Sequence, residues 1–445
     1  MLRHQFFYTM PFVMKHALLT LIAALCTNGV AGADVCTDFL VPPGASVRPV
    51  TPRAVFPEAV SAAEKQAEEA LQRYHSGLSD YLSVLDAEMS LLQLQWQNPH
   101  LNAAEREALL TALRSTDAKR TALLDARYKN EAISPGEYFS RSFLAARDRA
   151  AWDNTPLSVE RVAEAADKLN ACVQELLKMG MADRAQCLVA AITCGEAKLR
   201  LPADDASLRE QAAAVQKLYD ELAVLLEARC KEQLGVPPVR ALEAALAARS
   251  FERECAAHLY RDAAAAQRSD TAIADLFELL REQYAIAQVQ GLADKAAAER
   301  VESRMADEVL RKKSSSAPER TPMIQRIIAL ADYSFHEESK ASLAERLYAG
   351  EYWRENSEQG DTEYLKIGGD GCRGQRLFIL TAQGKLYLLE EDWENGETTD
   401  SLQLYQSESG SWKTCCDAVP KSILKTEPLS TVPSLLQPWL QPAVR

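Results

Sequence analysis

The chain has 445 residues, with 50 Lys and Arg against 63 Asp and Glu, a net charge of −13 and 47% hydrophobic residues. That acidity argues against a nucleic-acid partner, because a phosphate backbone needs a clustered basic face and the densest basic run here is Arg311-Lys312-Lys313. An acidic surface instead favours solubility, or capture of a basic partner by long-range attraction.

Residues 1–33 read as a secretory signal. Lys15 and His16 precede the apolar run Ala17 to Leu25, and Ala31-Gly32-Ala33 supplies small residues for a cut before Asp34; Met14 is a second candidate start. The run is shorter than the ~20 apolar residues of a membrane anchor, and Leu25 is bulky beside a lipid-modified Cys26, so the signal is the preferred reading. Cleavage removes Arg3 and Lys15 and no acid, leaving 48 basic against 63 acidic residues, a mature charge of −15. The expected address is periplasmic or secreted. No later segment is apolar enough to span a bilayer.

Residues 34–56 read as an extended N-terminal segment. From Pro57 to about Leu310 apolar residues return every three or four positions in an Ala/Leu/Glu/Arg/Gln-rich background, which predicts helix. One long helix is expected from Val60 through Leu71, Leu78, Leu85 and Leu92 to a stop at Asn98-Pro99. A second begins at Asn102, with Glu105 at the capping-box position, and pairs with the first as an antiparallel hairpin. Ser134-Pro135-Gly136 and Asn154-Thr155-Pro156 break the chain before a helix carrying Val162, Leu169 and Leu176. Further helices are expected over Cys187 to Arg200, Ser207 to Glu232, Val239 to Arg261 and Thr271 to Leu310. Their punctuators are Pro202-Ala203-Asp204-Asp205, Gly235-Val236-Pro237-Pro238 and Ser269-Asp270. Residues 78–85 parallel residues 218–225, so 57–310 reads as two related units, 57–153 and 157–310, or as a chance likeness of amphipathic helices.

Residues 311–322 are polar enough to be a linker and a domain boundary. A helix from Met323 to about Tyr348 follows. Short strands then alternate with glycine turns: Tyr364 to Ile367, Arg376 to Thr381, Lys385 to Leu389 and Leu402 to Tyr405. A small antiparallel sheet, open or partly closed as a barrel, is expected within 323–419, and 420–445 reads as an irregular Pro-rich tail. The fold class is mainly α, with long antiparallel helical hairpins followed by a small antiparallel β domain, α+β in all.

In the oxidising compartment that a signal implies, the cysteines after residue 33 are expected to form disulfides. Cys172, Cys187, Cys194, Cys230 and Cys255 would staple helices, and Cys372, Cys415 and Cys416 a second unit; Cys36 makes the count odd. Cys-x-x-Cys and His-x-x-x-His spacings are missing, so no metal site is expected. Phosphate loops, dinucleotide fingerprints, Gly-x-Ser-x-Gly elbows and zinc-protease helices do not occur either, so neither a catalytic residue nor a cofactor is assigned. Gly368-Gly369-Asp370-Gly371 is read as a turn that needs positive φ. The aromatics Trp353, Tyr364, Phe378, Tyr387, Trp393 and Trp412 are read as sheet core.

Leu201 to Asp262 resembles the helical domain named after the LprI-type lysozyme inhibitors. The likeness rests on Asp204 to Leu208, Leu218, Tyr219 and Leu222, then on Leu242, Ala245, Ala248, Phe251, Arg253, Glu254 and Cys255. Arg249 stands where that family usually has Trp, Glu254 replaces an Asp, and Cys255 comes slightly early. The resemblance implies an exported protein that binds and blocks a basic cell-wall hydrolase. The expectation is therefore a disulfide-stapled, non-enzymatic binding protein with a protein partner; the alternative is an envelope scaffold whose hairpins stack like repeats.

Overall fold

The computed structural model describes residues 57–98, 101–153, 155–232, 236–289, 295–314, 316–330, 340–355, 362–368, 373–382, 385–394, 397–398, 401–408, 411–425 and 432–440. Residues 1–56, which hold the expected signal, its expected cleavage site, the expected extended segment and Cys36, lie outside the described residues, as do Cys372 and most of the Gly368 turn. The architecture is mainly α with a small antiparallel sheet, as the periodicity predicts. No helix among the described residues is long and apolar enough to cross a membrane. The chain divides into two compact units, residues 121–286 and residues 57–120 with 287–445.

In the first unit, five helices follow one another: α4 (Pro135–Asp153), α5 (Pro156–Lys178), α6 (Arg184–Lys198), α7 (Asp205–Lys231) and α8 (Pro238–Glu254). Each packs on the next in sequence. Their starts are set locally, because the first amides of a helix need outside acceptors. Thr155 and Ser158 form a reciprocal capping box on α5, Asp183 and Gln186 another on α6, and Asp204 caps α7 through the amides of Ala206 and Ser207. Gly180, at φ +70°, closes α5.

The apolar stripes meet in two clusters. Phe143, Val162 and Ala166 pack with Cys194 and Ala197 in one; Ile192, Val215, Tyr219, Phe251 and Cys255 belong to the other. Gly195 lets α6 and α7 approach closely, since a β-carbon there would lie 2.4 Å from Val215 Cγ2.

After α8 the helix widens into a π-helical turn, Cys255–Tyr260, which ends at Arg261 with φ 56°. Asp262 then caps α9 (Ala263–Val289) through the amide of Ala265 at 2.9 Å. The stop expected at Ser269-Asp270 is absent: Ser269 Oγ bonds back to the carbonyl of Ala265 at 3.2 Å, so the helix absorbs it.

The second unit opens with α1 (Pro57–His75) and α2 (Tyr81–Trp96), packed on each other. One long helix was the expectation; instead Gly77, at φ +70°, turns the chain and Asp80 starts α2 by accepting from the amide of Ser83. Leu78 therefore stands in a turn, 73% exposed, whereas Leu218 lies inside α7. The two stretches occupy different structural positions. The capping box at α3 (Ala103–Lys129) is present: Asn102 Oδ1 accepts from Glu105 N at 2.9 Å, and Glu105 accepts from Asn102 N at 2.8 Å.

Helices α10 (Lys295–Ser314), α11 (Thr321–Ala329) and α12 (Lys340–Ala349) cover one face of the sheet. No domain boundary falls at 311–322. Helix α10 continues through Arg311-Lys312-Lys313, and Arg320 donates to the carbonyls of Tyr348 at 2.9 Å and Gly350 at 3.0 Å. The polar composition reflects an exposed helix end and a tied corner. Chain direction then reverses tightly, because a β-carbon on Gly350 would stand 2.7 Å from the Lys366 carbonyl.

The strands are β1 (Glu351–Glu355), β2 (Thr362–Ile367), β3 (Arg373–Ala382), β4 (Lys385–Glu394), β5 (Glu397–Thr398), β6 (Ser401–Glu408) and β7 (Ser411–Pro420). They form an open antiparallel path β1-β2-β3-β4-β6-β7, with β5 beside β4, rather than a partly closed barrel. Alternation divides the side chains cleanly. Leu365, Ile379 and Leu388 face α10 to α12, while Tyr364, Phe378, Tyr387 and Leu404 face Ile423, Val432 and Leu436. Those last residues belong to a 3-10 turn (Lys421–Lys425) and to α13 (Val432–Leu440), so residues 420–445 are not simply an irregular tail. Tyr364, Phe378 and Tyr387 are core as expected; Trp353, on edge strand β1, is 42% exposed, and Trp412 is half-buried.

The expected disulfides are overturned. Cys172, Cys187, Cys194, Cys230 and Cys255 are free thiols, and neither Cys415 nor Cys416 forms a disulfide. Helical cysteines are used here as small apolar side chains: Cys255 sits in the α6–α8 cluster, and Cys187 Sγ reaches only the Val173 carbonyl at 3.7 Å. Cys415 and Cys416 are neighbours on β7 at an irregularity in its pairing with β6, and both pack against the Tyr364/Phe378 cluster.

Candidate functional site

The positions that carry the family resemblance converge where α7, α8 and the π turn meet α6. Tyr219, Phe251 and Cys255 share one buried cluster, with the rings of Tyr219 and Phe251 5.2 Å apart. Leu218, Leu242 and Ala245 are half-buried on the same hairpin, and Arg249 is exposed.

Tyr219 is fully buried and donates its hydroxyl proton to Glu196 Oε1 at 2.7 Å. Glu196 was missed from sequence, although an acid between Gly195 and Ala197 on the inner side of a helix is itself a signal. Its side chain is 4% exposed, and Oε2 has no hydrogen-bond partner. Burial pushes its carboxyl up to about 8, against the downward pull of the Tyr219 bond and the Arg200 charge. Burial likewise pulls the Arg200 guanidinium below its ordinary value, with Glu196 opposing. The Cys255 thiol is pushed up to about 12 by burial, with Glu254 and Glu196 adding to it.

A second polar chain runs along the outside of this junction. Arg253 donates to Glu254 Oε1 from Nε at 3.1 Å and from Nη2 at 2.8 Å, and its Nη1 lies 3.5 Å from Asp270 of α9. His258, one turn on, places Nε2 3.3 Å from Glu254 Oε2. The motif's Arg and acid thus pair with each other and with α9. Asp270 and His258 were not singled out from sequence, since their role depends on the π turn.

Cys194 donates to Asp167 Oδ1 at 3.0 Å, and Lys198 Nζ lies 2.7 Å from the same oxygen. Burial first, then Asp167, pushes the Cys194 thiol up to about 11; a protonated buried thiol is a poor nucleophile. Among the described residues no three His, Cys, Asp or Glu side chains are placed to hold a metal ion. The arrangement can hold or release a proton in a closed interior and can lock three helices in register.

In the same unit, α9 carries a shallow open groove. Asp275, Glu278, Glu282 and Arg281 line it around Leu279 and Ala285. Leu279 is 46% exposed, and Arg281 pairs with Glu278. Comparison with protein-family models, curated proteins and solved structures finds no match to this chain.

Proposed function

We propose that this chain is an exported, non-enzymatic binding protein whose helical unit captures a basic protein, a lysozyme-like cell-wall hydrolase being the first candidate. The observation that carries the reading is the α9 groove, where three acids and one Arg surround an exposed leucine. Such a patch offers apolar contact at its centre and favours a cationic partner at its rim. The mature charge of −15 adds long-range attraction that speeds encounter more than it tightens the complex. The LprI-like positions on α7 and α8 support the same target class. With the disulfides gone, the exported address rests on residues 1–33 alone.

The test is a titration of residues 34–445 against a basic lysozyme in low and moderate salt, following binding and cell-wall lysis together. Salt-sensitive binding with loss of lysis, weakened by Glu278→Lys and Glu282→Lys, is expected. No binding at micromolar concentration would sink the proposal.

A scaffold role is favoured by a different observation, the packing of each helix from α4 to α8 on its successor, as in helical arrays that bind along an extended surface. Attachment to an envelope protein with lysis unaffected would move the reading there.

A further inference from the structure

Glu196 occupies the one junction where α6, α7 and the π turn meet, and its placement has a use that packing alone does not require. We propose that Glu196 is a pH-responsive latch: as a neutral acid it closes the α6–α7–π-turn junction, and as a carboxylate it loosens it.

The geometry carries this. The carboxyl is 4% exposed, receives one hydrogen bond, from Tyr219 at 2.7 Å, and leaves Oε2 with no partner. A neutral carboxyl tolerates such a site, whereas a buried carboxylate needs charge or several donors to offset lost hydration. The titratable and charged groups that act on it are few. Tyr219 faces it from α7, Cys255 from the π turn, and Arg200 from the turn just past the end of α6. Arg147 of α4 acts on Arg200 rather than on the carboxyl. Cys255 is uncharged at neutral pH, and the pull of the Arg200 charge on the carboxyl is smaller than the opposing effect of burial, so neither supplies full compensation. Gly195 and Val215 close the same junction at van der Waals limits, leaving no slack to admit solvent without separating α6 from α7.

The direction follows from linkage. Unfolded or opened, Glu196 titrates at its ordinary 4.5; closed, it holds its proton up to about 8. The closed form therefore binds more protons between those values, and its stability falls as pH rises through that window. This latch does not depend on the identity of the partner.

The experiment is hydrogen exchange by mass spectrometry on the full chain from pH 5 to 8, corrected for intrinsic exchange, read over residues 188–199 and 215–226. The opening constant is expected to rise up to about tenfold per pH unit in the native chain and to stay flat in Glu196→Gln. Equal slopes in both would overturn the proposal. Tyr219→Phe is expected to move the midpoint upward, because the tyrosine bond favours the ionised form; no movement, or a downward one, counts against it. Should Glu196→Gln fail to fold, infrared spectra of the native chain decide. A protonated-carboxyl band persisting at pH 7 and lost near pH 8 is expected, and its absence at pH 7 would overturn the latch.

Discussion

Arg253 and Glu254 are sequence neighbours that clasp each other: two guanidinium nitrogens, at 3.1 and 2.8 Å, converge on one carboxylate oxygen. Both side chains are nearly enclosed, 7% and 13% exposed, and the same guanidinium reaches Asp270. Removing the arginine leaves two poorly hydrated carboxylates. Arg253→Ala is expected to destabilise the unit by about 3 kcal/mol, read as a shift in the urea midpoint at pH 7. Arg253→Lys is expected to recover little, since an ammonium lacks the planar fork that sets two donors on Glu254 and a third toward Asp270. A loss below about 1 kcal/mol, the range of exposed pairs, would show that the clasp is ornamental.

Gly195→Ala is expected to destabilise by about 1–3 kcal/mol, because the new methyl would meet Val215 at 2.4 Å. Val215→Ala should relieve most of that cost. A double-mutant cycle that returns no coupling between the two positions would contradict the close approach of α6 and α7.

The thiols give a redox and a pH prediction. Intact mass under non-reducing conditions should show Cys172, Cys187, Cys194, Cys230, Cys255, Cys415 and Cys416 reduced, and a reducing agent should leave the melting temperature unchanged. Buried Cys194 and Cys255 titrate near 11 and 12, above the ordinary 9 of the unfolded chain. The folded form thus keeps protons that the unfolded form loses. Stability from these two groups is full below pH 9 and is lost as pH rises from 9 towards 11 and 12. Cys194→Ser and Cys255→Ala should flatten that alkaline decline.

Asn102→Ala is expected to cost about 1 kcal/mol, since it removes both the acceptor for Glu105 N and the partner geometry that holds Glu105 on Asn102 N. Calorimetry on the full chain would report it, and Asn102→Asp should retain the cap.

The helices were legible because their determinants are local. Asn102 with Glu105, and the breaks before Pro135, Pro156 and Pro238, announce element ends by hydrogen-bonding chemistry confined to three or four residues. Gly77 was missed because a continuous apolar stripe, Leu71 to Leu85, hides a turn that only a positive φ reveals. Ser269-Asp270 misled in the opposite sense, since a serine that bonds back one turn does not end a helix. The cysteine expectation failed because compartment chemistry says nothing about which thiols meet; helix register decided that, and it put Cys255 among apolar side chains and Cys194 against Asp167. The candidate site was half visible. Tyr219, Phe251 and Arg253 stood on recognisable helix faces, but Glu196 and Asp270 join them only through contacts from more than 15 residues away, which no local pattern encodes.

In the sheet, each long strand pairs with the strand before it, the single step over the two-residue β5 aside. Pairing of this kind closes short loops, which favours fast formation. A ribosome releasing this chain would therefore deliver each strand next to one already emerged, so the meander can be laid down in the order of synthesis. The 3-10 turn and α13, which follow the strands in the chain, are the elements that cover Tyr364, Phe378 and Tyr387. Until those two elements emerge, that aromatic face has nothing to cover it, so the strands alone form an incomplete unit.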